Sequence, residues 1–182
     1  MREYNRRAFI KTMGLMTGSV LLIPACMHST STTNQPYLVF TADEVVCLEA
    51  LCGQLIPADQ DPGAVETGVL HFIDRQIHLR FPNEKELFSG GIRSLQQWCT
   101  EQHRKRFEEL SSPLQIEIMQ AMERNEIDSE QWEPSPKQFF DRLLNRTMQG
   151  FYGSPRHGGN KDYASYRMLK LDYPLLIGQN RY

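Results

Sequence analysis

The sequence predicts an all-α fold: a single helical domain with an irregular Gly/Tyr-rich C-terminal segment, preceded by a signal peptide. Three observations carry this. Helix starts are marked by hydroxyl residues that precede proline or stand three residues before an acid. Apolar residues recur at three- and four-residue spacing between proline and glycine stops, and no apolar/polar alternation is long enough for a strand.

In chain order, Asn5-Arg6-Arg7-Ala8-Phe9-Ile10-Lys11 leads into an apolar run from Met13 to Ala25 that ends at Cys26. The run is shorter than the roughly 20 residues a membrane-spanning helix needs, and Gly14, Thr17, Gly18 and Ser19 dilute it. Paired arginines followed by Phe9 and Lys11 resemble the twin-arginine signal, which routes folded proteins across the bacterial cytoplasmic membrane. An ordinary secretory signal is the plainer reading. The twin-arginine route implies a cofactor inserted before export, in this chain or in one that travels with it. Leu22-Ile23-Pro24-Ala25-Cys26 resembles a lipoprotein cleavage box, with Cys26 as the acylated residue, and the polar stretch from His28 to Gln35 suits a tether. The chain therefore divides into a signal over 1–25, a tether over 26–40 and a helical domain over 41–182. The expected location is the periplasm, with a lipid anchor in a membrane.

Thr41-Ala42-Asp43-Glu44 is a capping box that opens the first helix, with Val45, Leu48, Leu51, Cys52 and Leu55 on its apolar side and Pro57 as its stop. An acidic loop follows, Pro57 to Gly63, containing Asp59 and Asp61. The second helix is predicted from about Ala64 to His78, and the third from about Lys85 to Phe107, with Gly90-Gly91 arguing against its continuity. Ser112-Pro113 caps a fourth helix that reaches about Arg124. Ser135-Pro136 caps a fifth, bearing Phe139, Phe140, Leu143, Leu144 and Met148 and ending at Gly150.

The chain has 20 Lys and Arg against 22 Asp and Glu, a net charge of −2. Removing the segment through Ala25 takes away Arg2, Arg6, Arg7, Lys11 and Glu3 and moves the balance to −5. That sign, without any basic stripe carrying interleaved aromatics, excludes a nucleic-acid partner. The remaining chain of about 155 residues makes one domain. With Cys26 acylated, Cys47, Cys52 and Cys99 are an odd count for an oxidising compartment: a free thiol, a bond to another chain, or simply small buried apolar residues. Cys47 and Cys52 sit on different sides of one helix, which argues against a mutual disulfide.

The sequence contains no G-x-G-x-x-G, no G-x-x-x-x-G-K and no C-x-x-C-H. Flavin, nucleotide and c-type haem thus have no visible site in this chain. The expectation is that the cofactor resides in a partner exported on this chain's signal. Asp59, Asp61, His71 and His78 supply a second reading, a self-sufficient periplasmic metal-binding lipoprotein or hydrolase, although their spacing reads equally as a solvated face. Cys99 and His103 are four apart, but a nucleophile pair lacks a third group. The most distinctive stretch runs from Gly150 to Asp162, where glycines and Asn160 tolerate positive φ and Phe151 and Tyr152 supply packing.

The Thr41 to Glu44 start, Leu55-Ile56-Pro57-Ala58-Asp59, Pro62-Gly63-Ala64-Val65 and Phe72-Ile73-Asp74 together resemble the small subunit of gluconate 2-dehydrogenase. Gly150-Phe151-Tyr152, Ser154-Pro155-Arg156, Gly158-Gly159-Asn160 and Tyr173-Pro174 continue the likeness in the same order. Tyr166 and Asp172 depart from it, standing where tryptophan and glycine are more usual. The resemblance implies a non-catalytic accessory subunit of a membrane-associated, FAD-dependent sugar or sugar-acid dehydrogenase. Its partners would be a large FAD-dependent (GMC-type) flavoprotein and a cytochrome c subunit carrying haem c. The resemblance implies that the small subunit binds the flavoprotein and supplies the export signal for itself and that partner. The partner surface is expected at Asp59 and Asp61 together with Phe151, Tyr152, Arg156, Gly158, Gly159 and Asn160, because exposed shaped loops with aromatics suit an interface.

Overall fold

The computed structural model describes residues 37–127 and 132–171 of the 182-residue chain. The signal residues Arg6, Arg7, Phe9 and Lys11, the lipidation residue Cys26 and the Tyr173-Pro174 pair lie outside the described residues. Six α-helices are described: α1 Ala42–Leu55, α2 Val69–Leu79, α3 Lys85–His103, α4 Ser112–Glu123, α5 Pro136–Tyr152 and α6 Ala164–Met168. No strand occurs among the described residues, which are all-α as expected. None of these helices is long and apolar enough to cross a membrane.

The helix α5 is the hub and packs against α1, α2, α3, α4 and α6. Its apolar side carries Phe139, Phe140, Leu143 and Phe151 into a core shared with Leu48 and Leu51 of α1, Ile73 and Ile77 of α2, and Phe88 and Leu95 of α3. Phe88 stands edge-on to Phe139 with ring centroids 6.1 Å apart, an arrangement that aligns ring edge with ring face. Gly90 and Gly91, which argue against continuity by propensity alone, lie inside the one helix predicted for this stretch. A side chain on Gly91 would come within 2.4 Å of the Phe139 ring, so this glycine lets α3 and α5 approach, and the packing offsets its low helix propensity.

Two helix starts follow the sequence chemistry. Glu44 N–H donates to Thr41 Oγ1 at 3.3 Å while Thr41 N–H donates to Glu44 Oε2 at 2.8 Å, completing the capping box. Ser135 Oγ accepts from Gln138 N–H at 3.3 Å, with Pro136 at the first helical position. The start of α4 differs. Ser111 occupies the cap without a side-chain bond, and Ser112 is already helical, its hydroxyl donating to Gln54 Oε1 at 3.1 Å on α1.

Other boundaries shift for tertiary reasons. The second helix starts at Val69 rather than Ala64, because Gly68 takes a left-handed φ of 74° and turns the chain. The third stops at His103, where Arg104 adopts φ 60°. Gly150 does not end α5, which continues to Tyr152. A Cβ at Gly150 would meet Phe72 Cδ1 at 2.9 Å and Val69 Cγ1 at 3.2 Å, so this glycine is a contact point for α2. The C-terminal segment is not wholly irregular, since it contains α6 and two 3-10 turns, Pro155–His157 and Lys161–Tyr163.

One buried ion pair ties the hub to the α2–α3 connection. Arg146 of α5 donates through Nε to Glu84 Oε2 at 2.9 Å and through Nη2 to Glu84 Oε1 at 2.7 Å, and both residues are 5% exposed. Arg142 adds a 2.8 Å bond to Glu84 Oε1, and the Arg146 guanidinium lies 3.9 Å over the Phe81 ring. Removing one member of such a pair strands the other charge, which costs about 3–5 kcal/mol.

Candidate functional site

The acidic loop is folded around Gly63. A Cβ there would lie 2.6 Å from Ala58 N and Ile56 O, so the chain can close on itself only at a glycine. Ala64 N–H donates to Ile56 O at 2.9 Å, and Gly63 N–H to Glu66 Oε2 at 3.0 Å. At the tip, Asp61 N–H donates to Asp59 Oδ1 at 2.9 Å, an Asx turn. Asp59 is exposed and Asp61 half-buried.

Beyond α5, the glycine-rich segment forms a clip. Gly153 N–H closes α5 on Gln149 O at 2.9 Å, the turn Pro155–His157 follows, and Gly158 reverses the chain at φ 106°. Gly159 then passes so close to α5 that a Cβ would sit 2.3 Å from Gly150 O. Asn160 is fully buried with φ 48°, a left-handed conformation that asparagine tolerates. Its Nδ2 donates to Gly153 O at 2.7 Å and its Oδ1 accepts from Ser165 N–H at 3.0 Å, so one side chain joins the two ends of the clip.

Both loops meet at Thr67, a residue the sequence reading passed over. Its hydroxyl donates to Gly63 O at 2.7 Å, while its carbonyl accepts from Lys161 N–H at 3.0 Å. The acidic loop and the clip are thereby tied to one turn ahead of α2. Nothing local marks Thr67, since both of its partners are backbone groups.

The expected interface residues divide by exposure. Asp59, Tyr152 and Arg156 face solvent, Tyr152 being 40% exposed, and Asp61 and Gly158 are partly accessible. Phe151, Gly159 and Asn160 are buried inside the chain: Phe151 fills the core, and Gly159 and Asn160 hold the clip against α5. They shape the surface and do not form it. Arg156 Nε donates to His157 Nε2 at 3.1 Å. Burial lowers the His157 pKa below the ordinary imidazole value, and the cations Arg156, Arg80 and Arg75 lower it further.

The second reading does not assemble. Asp59, Asp61, His71 and His78 do not come together, and among the described residues no three of His, Cys, Asp and Glu make a ligand group. Asp59 is occupied in its own turn. His71 stacks on Tyr37 with centroids 4.6 Å apart and planes 5° from parallel, while His78 is exposed at the end of α2. Asp74, between them, is 2% exposed, and its carboxylate accepts from Leu38 N–H at 2.8 Å, Val39 N–H at 2.9 Å and Phe40 N–H at 3.4 Å. It therefore holds the segment Tyr37 to Phe40 that leads into α1.

The cysteines resolve as buried apolar residues. Cys47, Cys52 and Cys99 are free thiols exposed by 1% or less, which removes them from reach of another chain. Burial disfavours their thiolates, pushing Cys52 and Cys99 up to about 12 and Cys47 well above its ordinary value. Cys52 Sγ lies 3.5 Å from Thr147 Oγ1, and the His103 ring is turned edge-on to Trp98 at 5.6 Å, so Cys99 and His103 make no nucleophile pair.

No curated protein and no solved structure matches the chain. The family described as gluconate 2-dehydrogenase subunit 3 matches residues 42–172, from the first residue of α1 through the clip and α6. By that match, over well more than half of its length, the chain belongs to the gluconate 2-dehydrogenase subunit 3 family, a family of dehydrogenase-complex subunits.

Proposed function

We propose that this chain is the non-catalytic accessory subunit that binds and stabilises a large FAD-dependent dehydrogenase acting on a sugar, polyol or aldonate. The observation that carries the reading is the family match, whose span coincides with the packed helical domain. The chain also supplies the export signal through Arg6 and Arg7 and a lipid tether at Cys26, and a cytochrome c subunit is a further partner. Flavin then belongs to the large partner and haem c to the cytochrome. The working location is the periplasmic side of a membrane.

The surface assigned to the flavoprotein is the exposed rim of the two coupled loops: Asp59, Asp61, Tyr152 and Arg156. Thr67 fixes these loops relative to each other, so the rim is pre-organised and loses little entropy on binding. The test is affinity purification of the full chain from its own membrane fraction, with an absorbance spectrum and sizing of co-eluting chains. A yellow complex with a large second chain supports the reading, and a colourless chain of its own mass rejects it. Charge reversal at Asp59 and Asp61 should then weaken recovery of the large chain, and unchanged recovery would reject the assigned rim.

A further inference from the structure

Five arginines of the described residues are held in ion pairs, and three others share one surface. Arg93, Arg106, Arg124, Arg142 and Arg146 each pair with a carboxylate. Arg75, Arg80 and Arg156 are exposed and, among the described residues, form no ion pair, yet they converge. Gly158 lays the clip across α2, so that a Cβ on it would touch Arg75 Cδ at 3.3 Å, and Arg156 donates to His157 at 3.1 Å. His157 is within electrostatic range of all three guanidinium groups. Leu79 stands one turn from Arg75 and beside Arg80, and is 64% exposed, the most exposed of the large apolar side chains described.

The position of this patch is informative. Tyr37 stacks on His71, one turn before Arg75 on α2, and Leu38, itself 56% exposed, is held by Asp74. The segment that leads into α1 thus runs beside the arginines. Ten residues separate Cys26 from Tyr37, a reach of at most about 40 Å when fully extended.

We propose that the face bearing Arg75, Leu79 and Arg80 rests on the anionic headgroups of the bilayer. The proposal rests on the Cys26 tether proposed above. In that arrangement the acyl group holds the chain at the membrane and the arginines orient it. Arginine suits this place because its stem lies along apolar surface while the guanidinium stays among phosphates. Leu79, flanked by two cations, suits the boundary between headgroups and acyl chains. The concentration of unpaired cations here runs against a net charge of −2 for the whole chain, which makes the patch a local feature and not a consequence of composition.

The test uses the full chain in its own cells with a benzophenone amino acid at position 79. Irradiation should give an adduct of mass equal to an anionic phospholipid, while the same probe at Ile116, 41% exposed on α4, should give none. Arg75→Glu with Arg80→Glu should reduce the lipid adduct about twenty-five-fold, from roughly fivefold per arginine at an anionic surface. Adducts formed only with polypeptide would make the patch a protein-docking surface and overturn the proposal, as would a lipid yield unmoved by the double substitution. Mass analysis of Cys26 in the same sample separates the two readings. An acylated Cys26 with only protein adducts keeps the tether and rejects the patch. An unacylated Cys26 with the lipid adduct intact rejects the tether and keeps the patch, and loss of both rejects both.

Discussion

Two segments outside the α-helices are fastened by opposite means, one to α2 and the other to α5. The incoming strap, Tyr37 to Phe40, is gathered by the backbone N–H groups of Leu38, Val39 and Phe40, and the charge that gathers them is Asp74 on the helix. The outgoing clip, Gly153 to Tyr163, carries its own fastener in Asn160 and reaches contact distance through Gly159. The strap relies on a carboxylate withdrawn from water, which is held by charge-assisted bonds. The clip relies on neutral hydrogen bonds and on the absence of side chains. Substitutions at the two segments should therefore fail differently, the strap by stranding charged or polar groups and the clip by steric exclusion.

Removing the carboxylate should have the largest effect. Asp74→Ala deletes acceptors for two short backbone bonds and one longer one and is expected to cost about 3 kcal/mol in urea unfolding, at the scale of bonds to charged groups. Asp74→Asn keeps one acceptor oxygen and should recover about half of that. A loss below about 1 kcal/mol for the alanine variant would show that water replaces the carboxylate and that the strap is not fastened by charge.

On the clip, Gly159→Ala places a methyl group against the Gly150 carbonyl oxygen, and about 2 kcal/mol is the expected loss for such overpacking. The loss is bounded by the free energy of docking, because the clip can lift before the domain unfolds. Trypsin cleavage after Arg156 or Lys161 should accelerate at temperatures where the circular dichroism of the helices is unchanged. Resistance equal to wild type would mean that the clip tolerates a side chain and that its close approach is incidental.

A smaller effect is expected for Asn160→Asp. Aspartate keeps the acceptor for Ser165 N–H and tolerates the left-handed backbone, but it loses the donor to Gly153 O. About 1 kcal/mol is the scale of that one bond, with the cost of burying a carboxylate added above the carboxyl pKa. Because that added cost is electrostatic, the deficit should shrink on acidification, whereas the Gly159→Ala deficit should not. Parallel melts of the two variants at pH 7 and pH 5 check the contrast.

Legibility follows the range of the interaction. Thr41 and Ser135 were readable as caps because the groups they satisfy lie three residues away. The clip was readable as a shaped loop from its glycines and asparagine, but the inward turn of Asn160 was not, since its choice of Gly153 and Ser165 depends on where α5 and α6 end. The role of Asp74 left no local trace because its partners are backbone groups 34 to 36 residues upstream. Glu84 and Arg146, 62 residues apart, left no local trace of their pairing. Gly150 read as a stop because propensity is local, while the pressure of Phe72 and Val69 that makes glycine necessary is tertiary.

One imidazole lies at each segment, His71 of α2 against the strap and His157 within the clip, and these separate burial from charge. Burial lowers the His71 pKa, partly countered by the Asp74 carboxylate, whereas His157 is lowered by burial and then by three arginines. For both, the folded pKa lies below the unfolded value of about 6.5, so the unfolded chain takes up its proton first. The resulting stability is present above that unfolded value and is lost as pH falls through the folded one. Imidazole titration followed by NMR should place both midpoints below 6.5 at low salt. Raising the ionic strength toward 1 M shortens the screening length from about 10 Å to about 3 Å and should move His157 upward by screening its arginines. His71 should stay nearly fixed, because salt does not rehydrate a ring stacked on Tyr37. Equal movement of the two midpoints would mean that His71 is governed by charge after all, and that strap and clip differ in geometry but not in the physics that holds them.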